Sequence, residues 1–156
     1  MKSSFDIGIV GAGIGGLTAA IALRALGHRV TVYEQAGQFM RVGADINLTP
    51  NAVRALDGLG EKVAKGIRAS GARPTFRISR DWDTGLETSS LPMGNTAELR
   101  YGAPQLTIHR ADVLAVLANA FPKEAVIFSK RLQSLAQIDG QVHLLFEDGH
   151  TAKHDV

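Results

Sequence analysis

Residues 11 to 16 read Gly11-Ala12-Gly13-Ile14-Gly15-Gly16, and five of the nine residues from Gly8 to Gly16 are glycine. Glycine costs about 1 kcal/mol per position in a helix interior, so this stretch is neither the middle of a helix nor a membrane span. It suits a tight turn between two regular elements. Before it, Phe5 to Val10 is a short β-branched run of the kind that forms a fully buried strand. After it the period becomes helical from Ile14: Leu17, Ala20, Ile21 and Leu23 to Ala25 form a small-residue apolar face, and Gly27 stands where a left-handed cap ends a helix. Arg29 to Glu34 (R-V-T-V-Y-E) then reads as a second strand. Strand, turn, helix and strand within residues 5–34 make a βαβ unit, with parallel strands and a right-handed crossover.

In that setting the G-x-G-x-x-G spacing acquires a chemistry. Gly11 permits the turn, Gly13 lets the backbone approach a pyrophosphate, and Gly16 allows the helix to pack closely on the strand. The amides that open the helix, Ile14 among them, and the helix dipole face the phosphates. Glu34, at the end of the second strand, would accept a hydrogen bond from a ribose 2′-hydroxyl and repel a 2′-phosphate. A ligand-free turn and a solvated strand end are the plainer readings of the same residues. The motif alone does not separate NAD from FAD. The continuation does: a doubly wound NAD domain repeats strand and helix, whereas this chain enters a loop, a helix and an antiparallel pair.

The loop holds Gly37, Arg41 and Gly43 and runs to Asn47; Thr49-Pro50-Asn51 opens a helix through Leu59, with Pro50 acceptable in its first turn. A shorter helical piece covers Glu61 to Lys65. Thr75 to Ser79 and Leu86 to Leu91 read as strands joined across residues 81–85, followed by a strand at Leu106 to His109 and a helix from Asp112 to Phe121 stopped by Pro122. Ala125 to Phe128, Leu132 to Ile138 and Val142 to Phe146 are strand-like, with Asp139-Gly140 and Asp148-Gly149 as hairpin turns. The last residues, His154-Asp155-Val156, look like the start of a further strand. The expected class is α/β: a Rossmann-like βαβ domain with antiparallel excursions, forming the amino-terminal fragment of a larger dinucleotide-binding fold. Residues 1–72 and 100–156 would form the cofactor domain, incomplete at its carboxyl end, and 73–99 a hairpin reaching toward a substrate domain.

Composition narrows the partners. Lys plus Arg number 17 and Asp plus Glu 15, a net +2 with no basic run longer than Lys130-Arg131, which is no footprint for nucleic acid. There is no cysteine, so disulfides and thiolate metal sites are excluded and a reducing, cytoplasmic setting is expected. Ile7 to Leu23 carries no charge, and Ala20-x-Ala22 imitates a signal-peptidase site. The glycines argue against membrane insertion or export. His150 and His154 are four apart, but on a strand that is about 13 Å, too far for one ion, and no metal is expected. Lys130-Arg131 reads as a solvated strand entrance. Trp82 and Tyr101 read as a hydrophobic lid over the core rather than a substrate wall, and His109 either lines the cofactor groove or is a satisfied structural histidine. No nucleophile elbow is present.

Four stretches together resemble a known family: I-V-G-A-G-I-G-G-L at 9–17, V-Y-E-Q at 32–35, R-V-G-A-D-I-N-L-T-P-N-A at 41–52 and Y-G-A-P-Q-L-T-I-H-R-A-D-V-L at 101–114. They are similar to the FAD-dependent aromatic hydroxylases, the single-component flavoprotein monooxygenases of the salicylate and p-hydroxybenzoate hydroxylase type. Within that family the chain looks most like the 6-hydroxynicotinate 3-monooxygenase branch. The resemblance implies bound FAD, NADH or NADPH as a transient reductant, and dioxygen transferred to a small aromatic or N-heteroaromatic acid through a flavin C4a-hydroperoxide. A homodimer is compatible with it.

By the same resemblance Gly15 lies near the pyrophosphate, Glu34 and Gln35 at the adenosine ribose, Arg110 along the ribityl-pyrophosphate chain, and Leu132 offers backbone to the adenine. Arg110 also carries a physical signal, because a cation opening a helix meets the positive end of the dipole unless an anion offsets it; the flavin phosphates or Asp112 would serve. The loop from Arg41 to Asn47 would pass beside the isoalloxazine ring, which makes Asp45 and Asn47 the candidate catalytic residues. Both depart from the branch, which has glycine at the first position and a histidine, thought to act as base, at the second. Asparagine orients or hydrogen-bonds but does not take the proton. Asp45 is a base if desolvated, or else an exposed loop carboxylate. The family implies a Gly-Asp flavin motif downstream of residue 156, so the fragment by itself is expected to be inactive. An NAD-dependent dehydrogenase and a non-catalytic nucleotide-binding module are the rival readings.

Overall fold

The computed structural model describes residues 4–40 and 43–156. The chain forms two compact units, Met1–Arg41 with Leu114–Val156, and Val42–Val113.

In the first unit β1 (Asp6–Val10) pairs parallel with β2 (Arg29–Tyr33), from Asp6 opposite Arg29 to Val10 opposite Tyr33. Between them runs α1 (Ile14–Ala25), whose buried face is Leu17, Ala20 and Ile21. Those side chains and Val30 and Val32 of β2 are buried, each large one contributing about 1.5–3 kcal/mol. The βαβ reading holds element by element. A short third strand, β7 (Val126–Ile127), lies parallel on the other side of β2. The carboxyl-terminal part is an antiparallel meander of β8 (Leu132–Ile138), β9 (Gln141–Phe146) and β10 (Thr151–His154). Tyr33 packs with Leu144 and Phe146 in a small core beneath it. Beyond β10 the chain runs against β1, Asp155 donating its amide to the Asp6 carbonyl at 2.8 Å and Gly8 donating to Val156 at 2.9 Å.

The second unit comprises β3 (Asp45–Leu48), α2 (Pro50–Asp57), α3 (Glu61–Ser70), β4 (Phe76–Arg80), β5 (Glu87–Pro92), α4 (Gly94–Tyr101) and β6 (Leu106–His109). The first turn of α5 (Arg110–Ala120) follows β6 directly. Val53 and Leu56 of α2 and Val63 and Ile67 of α3 are its buried helix faces.

Here the structure departs from the local pattern. The loop expected to run to Asn47 contains β3, which pairs antiparallel with β6, Ile46 opposite Ile108 and Leu48 opposite Leu106. Its partner lies some sixty residues away (Asn47 to Thr107 is 60), so no local period announced it. Helix α4 was not expected, because Gly94-Asn95-Thr96 opens it poorly and only Ala97 is buried; the Arg73–Glu98 ion pair at 2.6 Å anchors it. Helix α3 runs five residues past Lys65, to Ser70, because Ile67 completes its buried stripe. Trp82 is 93% exposed, so it is no lid over the core: it sits in the turn between β4 and β5. Among the described residues no helix is long and apolar enough to cross a membrane.

Candidate functional site

The glycine turn has the shape its sequence demanded. Gly11 turns the chain at φ +101°, a conformation L side chains avoid, and its amide donates to the Tyr33 carbonyl at 2.7 Å. Gly13 is the extended N-cap residue of α1, without a side-chain cap, and the first helical turn carries no acid. The amides there are therefore not spent on protein side chains of that turn. A Cβ at Gly13 or Gly15 would meet nothing within 4 Å, whereas one at Gly16 would stand 1.9 Å from the Gly11 carbonyl oxygen. Gly16 is thus needed for packing, and Gly13 and Gly15 leave the mouth of the helix open. Such a mouth fits a diphosphate.

Glu34 lies at that mouth. Its Oε2 accepts the Ala12 amide at 2.7 Å and its Oε1 the Ala36 amide at 2.9 Å. A carboxylate has about four acceptor positions, so these two bonds hold Glu34 in place and leave capacity for a ligand hydroxyl. Beside it is a groove of about 320 Å³ lined by Val10, Gly11, Glu34, Gln35, Arg131 and Leu132, with Tyr33 and Lys130 completing the wall. Gly11, Glu34, Gln35 and Leu132, singled out separately in the sequence, therefore share one hollow.

Lys130-Arg131 is not simply a solvated strand entrance. Lys130 donates its amide to the Glu34 carbonyl at 2.8 Å, and its ammonium is paired with Asp148. That contact first, and the His150 amide second, hold the Asp148 carboxyl below the usual carboxylate range. Residue type alone carried no sign of this, since the groove forms only when β7 pairs with β2 and the residues after it run along the end of that strand.

The other described candidates belong to the second unit. Asn47 is exposed, and its Oδ1 accepts the Thr107 hydroxyl at 2.9 Å. Asp45 is exposed and stands opposite His109 in the β3–β6 pair. The His109 Nδ1 accepts the Ala111 amide at 3.2 Å, the part of a structural helix cap. Arg110 opens α5, with its amide on the Ala44 carbonyl at 3.1 Å and its stem against Gly43, where a Cβ would come within 3.1 Å of it. Arg41 lies outside the described residues. Tyr101 lines a separate hollow of about 560 Å³ with Arg54 and Arg100, to which Trp82 does not contribute. Among the described residues no group of His, Cys, Asp and Glu could hold a metal ion.

These features define an α/β, Rossmann-like class. An NAD(P)-binding Rossmann-like domain family matches residues 9–47. Over its whole length the chain is 36% identical to the 6-hydroxynicotinate 3-monooxygenase of Bordetella bronchiseptica, of which it covers 40%. It is 34% identical to the salicylate hydroxylase of Pseudomonas putida, with 99% of this chain and 35% of that protein aligned. Among solved structures, Klebsiella pneumoniae HpxO complexed with FAD and uric acid superposes with a TM-score of 0.86 at 27% identity, over 96% of this chain and 37% of that one. The chain is thus similar along its length to a 6-hydroxynicotinate 3-monooxygenase and a salicylate hydroxylase, and spans about two-fifths of the length of the former.

Proposed function

We propose that the chain belongs to an FAD-dependent monooxygenase that hydroxylates a small aromatic or N-heteroaromatic acid at the expense of NADH or NADPH and dioxygen. The observation that carries this reading is the Glu34 carboxylate held on the Ala12 amide at 2.7 Å, beside an open helix mouth. A carboxylate there suits the adenosine ribose hydroxyls, and the uncapped amides of α1 suit the pyrophosphate.

In this reading Gly13, Ile14 and Gly15 receive the diphosphate, Glu34 and Gln35 the ribose, and Leu132 the adenine. The resemblance assigns Arg110 and Arg41 to the cofactor as well, and Asp45 and Asn47 to its ring and to substrate. When bound, the flavin supplies the oxygen-transfer chemistry. Asn47, tied to Thr107, orients and does not exchange a proton. Asp45 is exposed, which favours a solvated carboxylate over a base. The hairpin within 73–99 is read as reaching toward the substrate-binding part, and the lack of cysteine suits a cytoplasmic setting.

The test is the intact protein, purified and examined for colour and turnover. A yellow protein that releases FAD on denaturation, and oxidises NADH or NADPH faster with an aromatic acid present, bears the proposal out. A colourless protein that binds NAD instead overturns it in favour of a dehydrogenase, and one that binds nucleotide without turnover leaves only a binding module.

A further inference from the structure

Tyr33 and Glu34 are successive residues at the end of β2, so their side chains leave opposite faces of the strand. Glu34 faces the glycine turn. Tyr33, only 4% exposed, faces the meander: its ring centroid is 4.8 Å from that of Phe146, and its hydroxyl lies 2.9 Å from His154 Nε2. His154 is itself 5% exposed, with Nδ1 3.0 Å from Asp6 Oδ1. A carboxylate only accepts, so Nδ1 carries the proton in the neutral ring, and Nε2 accepts from the tyrosine hydroxyl. Asp6 is fixed in turn, accepting Arg29 Nη2 on Oδ2 at 2.8 Å and donating its amide to Asp155 Oδ2 at 2.7 Å. Burial, and then the charge of Asp6, push the Tyr33 phenol up.

The imidazole has a place prepared for it. Gly8 sits inside β1, where a Cβ would come 2.5 Å from His154 Cδ2; a strand glycine of this kind marks a close approach. Burying these polar groups costs several kcal/mol unless each is bonded, and an apolar pair would fill the same volume without that requirement. What the bonded chain adds is direction. The Tyr33 hydroxyl is tied to the meander, its carbonyl accepts the Gly11 amide at 2.7 Å, and the next side chain holds Ala12.

We propose that His154 and Tyr33 are positioning residues for the nucleotide: the Asp6–His154–Tyr33 hydrogen-bond chain fixes the end of β2 so that Glu34 stays aimed at the adenosine ribose. The inference rests on the adenosine reading of the groove, and the experiment separates the two. The intact protein is stripped of flavin, and dissociation constants are measured for FAD and for its 2′-deoxyadenosine analogue, with melting temperatures recorded in parallel.

The native protein should bind the deoxy analogue about tenfold more weakly, the value of one charge-assisted hydrogen bond. Glu34→Gln should bring that ratio toward one. Tyr33→Phe, which removes a single oxygen, and His154→Leu should lower it to about threefold or less, while His154→Gln, whose amide oxygen can still accept the phenol, should restore it. If Glu34→Gln abolishes the discrimination but Tyr33→Phe and His154→Leu leave it intact, the chain is structural only and the proposal is overturned, with the adenosine reading standing. If Glu34→Gln itself changes nothing, the adenosine reading fails and the positioning role with it. Should His154→Leu not fold, the near-isosteric Tyr33→Phe decides.

Discussion

A methyl group on Gly16 would stand 1.9 Å from the carbonyl oxygen of Gly11, so the first helix and the turn that leads into it touch through a residue that must lack a side chain. Gly15, one position earlier, has open space where its Cβ would be. The two neighbours therefore separate folding from binding. Gly16→Ala should destabilise the first unit by about 3 kcal/mol, the upper range for overpacking. Gly15→Ala should leave stability equal or higher by about 0.5–1 kcal/mol, yet weaken FAD binding about tenfold or more, because the methyl occupies the diphosphate's approach. Denaturant melts and flavin titrations on both variants check this; equal losses of affinity per unit of lost stability would contradict it.

The charge of Glu34 should matter apart from its shape. Glutamine keeps the length and one acceptor but not the negative charge, and hydrogen bonds to charged groups contribute about 1.5–3 kcal/mol. Glu34→Gln is expected to weaken FAD at least tenfold while leaving the affinity for FMN, which lacks the adenosine half, as it was. Fluorescence titration with the two flavins distinguishes them.

The second unit should carry its own acid-sensitive contact. Asp57 takes a bidentate pair from Arg68, with Nη2 to Oδ2 at 2.7 Å, and this hydrogen bonding outweighs burial and holds the Asp57 carboxyl below its ordinary value. A carboxyl depressed in the folded state stabilises above its unfolded value, about 3.9, and loses that contribution as the pH falls through the folded value. The side chains are 32% and 29% exposed, so solvent holds the contribution to about 0.5–1 kcal/mol. Asp57→Asn should lower the melting temperature at neutral pH and flatten its decline below about pH 4. A parallel decline in both proteins would assign the acid sensitivity elsewhere.

Asn47 and Asp45 make a paired prediction about turnover. With its Oδ1 on the Thr107 hydroxyl, Asn47 should hold substrate rather than titrate, so Asn47→Ala raises KM several-fold without moving either limb of the pH–rate profile. Asp45→Asn should likewise leave the profile in place, since that side chain is exposed. Loss of the acidic limb in the Asp45 variant would identify a base there.

Legibility followed the distance over which each element is specified. The βαβ unit and the Asp139-Gly140 hairpin were plain, because their signals lie within a few residues: the turn has φ of 51° and 78° at its two positions, as an Asp-Gly hairpin requires. Strand β3 and helix α4 were not plain. Asp-Ile-Asn-Leu is too short and polar to declare itself, and becomes a strand because Leu106 and Ile108 arrive opposite Leu48 and Ile46. Trp82, which by type reads as a lid over the core, is an exposed turn residue.

Local residue order by itself determined the turn, the helix that follows and the acid at the end of the second strand, because backbone freedom at glycine and the period of apolar side chains act over one or two turns of chain. Only the tertiary structure decided what stands around that acid. Lys130 and Arg131 come to its groove from nearly a hundred residues away (130 − 34 = 96). His154 reaches Tyr33 across 121 residues and Asp6 across 148. Contacts at such separations depend on how whole sheets pack, and no short-range pattern encodes them.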